Sequence, residues 1–377
     1  VKDLAGLKRK VSSRVPEGQA GLALLDATVT GAQAKDLETK LHRLVIGQEE
    51  AIHAIVRTYQ TYLAGLSPNG RPIGTFLFLG PTGTGKTRAV EATAEAVLGN
   101  SRAVTKIDCG EFQHSHEIAK LVGSPPGYLG HRETHALLAQ AALDRHQTET
   151  VKLSFLLFDE IEKASDALWN LLLGILDKAT LTLGDNRPVD FSKVLIFMTS
   201  NIGAAEMSSL LSRKLGFCAV PLSDNHCAPA LTAKLARAGV EAARRRFTPE
   251  FLNRLDKIVV FRALGNEELN RIIDVELQLV QQRVQTAVPN KRCFINVTES
   301  AKKFLLDEGI DLRYGARPLK RAIERLLVQP LSNLIATGQI HYDDRLHITH
   351  SDGSPSLEFF RETDTWQTWR TNGVAAA

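Results

Sequence analysis

Cysteine, tryptophan, methionine and tyrosine are scarce in this 377-residue chain, at four, three, two and five residues. The cysteines, Cys109, Cys218, Cys227 and Cys293, stand far apart with no CxxC pair. That excludes a dense disulfide framework, and Cys218, His226 and Cys227 match no common zinc spacing. The cysteines read as reduced thiols of a cytoplasmic protein. Neither sign of charge dominates: 46 Lys+Arg against 42 Asp+Glu leave a net charge of +4. Such a balance does not point to nucleic acid, whose binders carry a strongly basic face. The one basic cluster, Arg244-Arg245-Arg246, reads as a solvated helix face. No apolar run approaches the roughly 20 residues of a membrane span. The opening "VKDLAGLKRKV" has no apolar signal core. No internal repeat or long low-complexity stretch is present.

What is present is 44% hydrophobic residues, enough for a substantial core and roughly two or three domains. Residues 1–43 read as an N-terminal arm leading into an amphipathic helix that begins near Lys35. From Phe76 the pattern alternates. "TFLFLG", "AVTKID", "SFLLFDE", "KVLIFMTS" and "DKIVVF" are short runs rich in Phe, Leu, Ile and Val. Helical stretches are expected over 86–98, 133–146, 166–178 and 231–246. Buried strands alternating with helices predict an α/β fold, a parallel sheet flanked by helices. "LTLGDNRPVDF" reads as a hairpin turning at Gly184-Asp185-Asn186. After Phe261 the texture becomes α+β: helices over 266–286, 299–308 and 316–337, then strands "RLHIT" and "SLEFF". The division is therefore 44–262 for a large unit, 263–355 for a smaller lid and 356–377 for a tail holding Trp366 and Trp369.

"GPTGTGKT", 80–87, follows an apolar strand and opens a helix, the G-x-x-x-x-G-K-[ST] pattern in its required context. Gly80, Gly83 and Gly85, with Pro81, Thr82 and Thr84 between them, let backbone N–H groups curl round phosphate oxygens. The helix N-terminus adds its positive end. Lys86 reaches for the β- and γ-phosphates and the Thr87 hydroxyl for Mg²⁺. "SFLLFDEIEKA", 154–164, ends a buried strand in Asp159 and Glu160. One carboxylate suits the metal and its neighbour a water, so Asp159 is expected to hold Mg²⁺ and Glu160 to act as base. Together these two motifs imply a nucleoside triphosphatase.

With those motifs in order, residues from about Leu44 to Ile348 resemble the AAA+ ATPases, and within them the second nucleotide-binding module of the Clp/ClpB heat-shock unfoldases. The resemblance implies the P-loop AAA+ fold with its lid, and ATP as nucleotide. "VIGQEEAI", 45–52, resembles the segment over the adenine, which implies contacts from Val45 and Ile46. "MTSNIG", 198–203, resembles sensor 1 and gives Asn201 that role. "RRRFTPEFLNRLD", 244–256, resembles the arginine-finger segment, with Arg254 reaching a neighbouring subunit's nucleotide. "YGARPLKRAI", 314–323, resembles sensor 2, with Arg317 on the γ-phosphate. Arg254 and Arg317 also have plain readings, as a surface ion pair with Glu250 or Asp256 and as a cation at a helix start.

The resemblance also places "GSPPGYLG" at the family's pore loop, where Tyr128 and Leu129 would grip extended polypeptide inside a ring. The family's usual residue at Leu129 is valine, and His131 departs from its usual pattern. The hairpin "LGDNRPVD" is a candidate second channel loop. "KLGF", 214–217, has two readings: a buried hydrophobic anchor, or a dock for a ClpP-like peptidase ring through Leu215-Gly216-Phe217. "HSH" at 114–116, near His131 and His135, reads as a polar surface rather than a metal site. One phosphate loop is present where ClpB, ClpA and ClpC carry two, so the sequence is expected to be a short relative or a piece of a longer chain. The resemblance implies a cytoplasmic homo-oligomer, a hexameric ring that unfolds or remodels unfolded or aggregated polypeptide, with no nucleic acid and no membrane. The alternatives are a regulatory or adaptor ATPase that binds partners without threading, and the unfoldase subunit of a ClpP-type protease.

Overall fold

A computed structural model gives the fold and describes residues 26, 28–124, 136–207, 209, 228–287, 293–309, 315–340, 344–351 and 353–362. Tyr128, Leu129, His131, His135, Leu215-Gly216-Phe217, Cys218, His226, Cys227, Tyr314, Trp366 and Trp369 lie outside the described residues, as does most of the N-terminal arm. The strands of the first part are β1 (Gly74–Leu79), β2 (Thr105–Asp108), β3 (Ser154–Asp159), β4 (Thr180–Thr182), β5 (Pro188–Asp190), β6 (Val194–Ser200) and β7 (Lys257–Val260). Five of them form one sheet in the order β2-β3-β6-β1-β7, and every pairing is parallel.

The strand sequences explain why they lie inside. Side chains alternate across a strand, so a run that is apolar at every position needs cover on both faces. Phe76 and Phe78 enter one cluster with Phe155, Phe197 and Phe261, under α1 (Ala32–Leu44), α2 (Glu49–Leu63) and α3 (Lys86–Leu98). Phe76 stacks on Phe197 with centroids 5.2 Å apart. Leu77 and Leu79 enter the opposite cluster with Leu156, Phe158 and Met198, under α4 (Asp166–Lys178) and α5 (Ala228–Arg246). All five apolar runs form strands. The hairpin β4–β5 is antiparallel, and Asn186 takes the left-handed φ of 66° that its turn requires.

From Leu264 a third cluster begins. It is built by α6 (Asn266–Ala287), α7 (Glu299–Gly309), α8 (Arg317–Ile323) and α9 (Gln329–Ala336) around a sheet of β8 (Phe294–Val297), β9 (Arg345–Thr349) and β10 (Glu358–Arg361). The order is β10-β9-β8, with β8 parallel and β10 antiparallel to β9.

Several expectations change. α1 begins at Ala32, not near Lys35. Within 133–146 only Gln140–Asp144 is helical among the described residues. Leu137 and Leu138 instead donate their N–H groups to Lys120 and Leu121 carbonyls, which withdraws them from a helix ladder. The stretch 316–337 is not one regular helix. A π turn, Glu324–Val328, joins α8 to α9, because Pro330 has no N–H for the preceding turn. Strand β8 and helix α2 were not anticipated. Among the described residues no helix is long and apolar enough to cross a membrane. Cys109 and Cys293 are buried and unpaired.

Candidate active site

The carboxyl ends of the parallel strands converge on one cleft, the position where ligands bind open α/β sheets. The cleft holds about 270 Å³ and lies between the main sheet and the lid. Thr82 to Thr87 form its floor, Asp159, Glu160, Thr199 and Asn201 one wall, and Val45 with Ile46 another. Leu264, Ile272 and Val275 close it from the lid side, with Glu276, Ala316, Arg317 and Lys320. Val45 and Ile46 are buried, so the cleft has an apolar end and a charged end. That is the polarity of a nucleotide, base at one end and phosphates at the other.

The loop after β1 is shaped by its glycines. Gly80 has φ 148°, and a Cβ there would stand 2.6 Å from the Phe261 carbonyl oxygen, so only glycine lets the loop pass the end of β7. Gly80 and Pro81 do not line the cleft; their carbonyls accept from Lys86 Nζ at 2.7 and 2.9 Å. A third acceptor, Asn201 Oδ1, stands 2.9 Å away. Burial pushes the Lys86 ammonium down to about 8, against the pull of Glu162, Asp159 and Glu160, while Arg317 adds to the lowering. A buried cation waiting on neutral oxygens is poised for an anion.

The acidic wall is held by Thr199, whose hydroxyl donates to Asp159 Oδ1 and accepts the Glu160 N–H at 3.1 Å. Burial works against the Asp159 carboxylate, yet hydrogen bonds from Lys106 and Thr199 hold it below its usual range. Lys106 Nζ lies 2.8 Å from Asp159 Oδ2. Thr87 Oγ1 is 3.4 Å from Asp159 Oδ1. Two hard oxygen donors at that separation fit a small divalent cation such as Mg²⁺. Glu160 has φ 57°, a left-handed backbone that non-glycine residues adopt at a cost of about 1–3 kcal/mol and that clusters at functional sites. Its carboxylate meets Asn201 Nδ2 at 3.3 Å and Lys163. Asn201 thus touches both Lys86 and Glu160.

Arg317 starts α8 at the cleft rim. The strap before it is tied to the phosphate loop: the Ala316 N–H donates to the Gly83 carbonyl at 3.0 Å. Arg254 is elsewhere. It is ion-paired with Asp177 and, at 3.0 Å, with Glu250, and it does not line the cleft. Asp256 does not pair with it; its carboxylate accepts from Thr75 N and Oγ1 at 2.7 and 2.8 Å.

Three residues of this site were missed in the sequence. Gln48 Nε2 donates to Thr84 O and Arg262 O, both at 3.1 Å, clamping the phosphate loop to the chain entering the lid. Thr199 is described above. Glu162 Oε1 accepts the Asn201 N–H at 3.1 Å, and its other oxygen is buried without a hydrogen bond. A polar residue inside an otherwise apolar strand was the available signal for Thr199. Nothing local marks the other two.

A phosphate loop at a strand–helix junction, facing a strand-end carboxylate pair under a lid, defines a P-loop nucleoside-triphosphate-binding protein. Comparison narrows the class. The profile of the AAA domain (Cdc48 subfamily) matches residues 71–258, and that of the C-terminal, D2-small domain of ClpB protein matches 264–348. The chain is 39% identical over 316 residues to the chaperone protein ClpB of Bdellovibrio bacteriovorus, covering 83% of this chain and 33% of that protein. It is 37% identical over 352 residues to the ATP-dependent Clp protease ATP-binding subunit ClpC of Staphylococcus saprophyticus, covering 92% of this chain and 40% of that one. A chain of Hsp104, from a closed-state cryo-EM reconstruction with ATPγS and FITC casein, superposes with a TM-score of 0.70 at 29% identity, over 87% of this chain and 52% of that one. The chain belongs to the AAA+ ATPases, in their Clp/ClpB branch. It spans about a third of the length of the ClpB it matches.

Proposed function

We propose that the chain is the ATP-hydrolysing module of a cytoplasmic, ring-forming protein unfoldase, with 44–262 as its large domain, 263–355 as its lid and 356–377 as a tail. One observation carries the reading: Lys86, Asn201 and Glu160 form a hydrogen-bonded chain inside the cleft that Arg317 overlooks from the lid. In this reading the apolar end, Val45, Ile46, Leu264, Ile272 and Val275, takes the adenine. The N–H groups of 82–87 and the Lys86 ammonium hold the phosphates. Thr87 and Asp159 hold Mg²⁺, which when bound offsets charge on the phosphate oxygens. Asn201 orients a water that Glu160 deprotonates once it leaves Lys163. Arg317 meets charge developing on the γ-phosphate, and this demands little covalent chemistry of the protein.

Arg254 is assigned to the neighbouring subunit's nucleotide. That it does not line its own cleft supports that assignment, and so does its partly exposed side chain. A cation supplied across the seam makes hydrolysis depend on assembly, here a homo-oligomer taken as a hexameric ring. Tyr128 and Leu129 are assigned to gripping polypeptide. The stem of that loop supports this: the Gly184 N–H of the hairpin donates to the Val122 carbonyl at 2.8 Å, so both candidate channel loops spring from one place. The relatives add weight, since one is named a chaperone and one structure holds Hsp104 with casein. A ClpC relative is named a protease subunit, which keeps a ClpP-like partner at Leu215-Gly216-Phe217 as the second reading.

The test compares two variants on a tagged, folded substrate. Glu160→Gln is expected to bind ATP, stop turnover and retain assembled particles. Tyr128→Ala is expected to keep turnover and lose unfolding. Unfolding that survives Tyr128→Ala at unchanged hydrolysis would refute threading and leave an adaptor ATPase.

A further inference from the structure

The helical hairpin α1–α2 carries a side-chain cluster that the nucleotide site does not use. Each helix presents a Glu-x-x-x-His pair: Glu38 and His42 on α1, Glu49 and His53 on α2. Residues four apart lie on one helix face, and here the two faces meet. His42 Nδ1 is 3.4 Å from Glu49 Oε2, and His53 Nε2 is 3.6 Å from Glu38 Oε1. The two imidazoles stand edge to face with centroids 6.5 Å apart. Donor atoms of Glu38, His42 and His53 all lie within 4.8 Å of one another.

We propose that Glu38, His42 and His53 form a binding site for a divalent transition ion of the zinc class. Two imidazoles and a carboxylate are the donor set such ions take, with bonds of about 2.0–2.2 Å. Around a tetrahedral ion at that radius neighbouring donors are about 3.3–3.6 Å apart. The His53–Glu38 spacing of 3.6 Å already approaches such an edge, so occupancy needs side-chain movements of tenths of an ångström at that pair. Three protein donors leave a fourth position for water or for Glu49. The donors are partly solvent-exposed, 28–54% by side chain, so the ion enters directly from water. Hard Mg²⁺ prefers oxygen and water and does not compete well for imidazole.

The site has a structural consequence. The loop joining the two helices carries Val45 and Ile46, which form one wall of the cleft. An ion bridging α1 to α2 staples the base of that loop.

The experiment uses tag-free, chelator-treated protein without nucleotide, which would itself bind metal. Co²⁺ is titrated in, reading its visible absorption, and then displaced with Zn²⁺. Wild type is expected to bind one equivalent more than the double variant His42→Ala/His53→Ala. Glu38→Gln, which preserves shape, is expected to weaken binding by about 10–100-fold or more. Zn²⁺ at about 100 times its Kd should raise the wild-type unfolding midpoint by about 3–6 °C and leave the double variant unmoved. His114→Ala/His116→Ala serves as control and keeps the full response. Equal stoichiometry and equal midpoint shifts in wild type, the double variant and Glu38→Gln would overturn the site and leave two ordinary histidine–carboxylate pairs.

Discussion

Replacing Gly315 by alanine isolates the contact through which the lid rests on the phosphate loop. Gly315 has φ 61°, and a Cβ there would lie 2.6 Å from the Gly83 carbonyl oxygen and 2.7 Å from its carbon. Both obstructing atoms are backbone, so no side chain can swing aside. Two costs add. Alanine in the left-handed region loses about 1 kcal/mol or slightly more. Relieving the collision moves the strap and breaks the Ala316–Gly83 hydrogen bond, worth about 1 kcal/mol. The sum, about 2 kcal/mol, is roughly thirtyfold in an equilibrium constant. The second part falls on the closed cleft, because Arg317 follows the strap directly. Gly338 supplies the control: it has φ 69° and nothing within 4 Å of a Cβ, so its alanine variant bears the backbone cost alone. Titration with a fluorescent nucleotide should show Gly315→Ala weakened about fivefold, from the share carried by the contact. Gly338→Ala should lower only the unfolding midpoint. Equal nucleotide affinity in the two variants would refute the strap as a part of the binding site.

Lys86 supplies a pH test. Its folded value of about 8 lies below the ordinary lysine value of 10.5, so the folded chain binds fewer protons than the unfolded one between those limits. Stability of the nucleotide-free protein therefore rises with pH across that window. Phosphates restore the charge, so binding a non-hydrolysed analogue takes up about half a proton at pH 8 and about a tenth at pH 7. Calorimetry in buffers of different ionisation heat reads this, and no uptake at pH 8 would contradict the poised lysine. Arg254→Ala should leave nucleotide affinity within about twofold and lower turnover of assembled particles by about 10³ or more. Normal turnover in those particles would exclude a trans arginine.

The sheet and the phosphate loop were legible because their causes are local. A strand buried on both faces must be apolar throughout, and a loop that wraps phosphate must be glycine-rich. β8 was not legible: Phe294, 48% exposed, opens a strand of alternating exposure on a half-covered sheet. The stretch before Gln140 carried helical periodicity, but its N–H groups found partners across space on Lys120 and Leu121. The partners of Gln48, Thr199 and Glu162 escaped for the same reason. Gln48 reaches partners 36 and 214 residues away, and Thr199 and Glu162 each meet a partner 39 residues away. No window of sequence holds both ends of such contacts. The lid wall was hidden because Leu264, just before α6, and Ile272 on it serve both the lid core and the cleft.

The contacts around α4 suggest how events at the cleft travel. Glu160 is followed at once by the turn Ile161–Lys163 and then by α4. That helix has 13 residues, about 20 Å of rigid rod. Its far end holds Asp177, the partner of Arg254, and leads into β4 of the hairpin. The hairpin in turn bonds through Gly184 to Val122, which precedes Tyr128 in the sequence. One packed element therefore joins the carboxylate assigned to the water, the cation assigned to the neighbouring subunit and both loops assigned to the channel. A packed helix transmits displacement because its interior contacts resist compression. A shift of Glu160 between Lys163 and an activated water thus has a short, stiff route to the hairpin. In the proposed ring, loss of the Asp177–Arg254 pair would bear on the opposite end of the same rod.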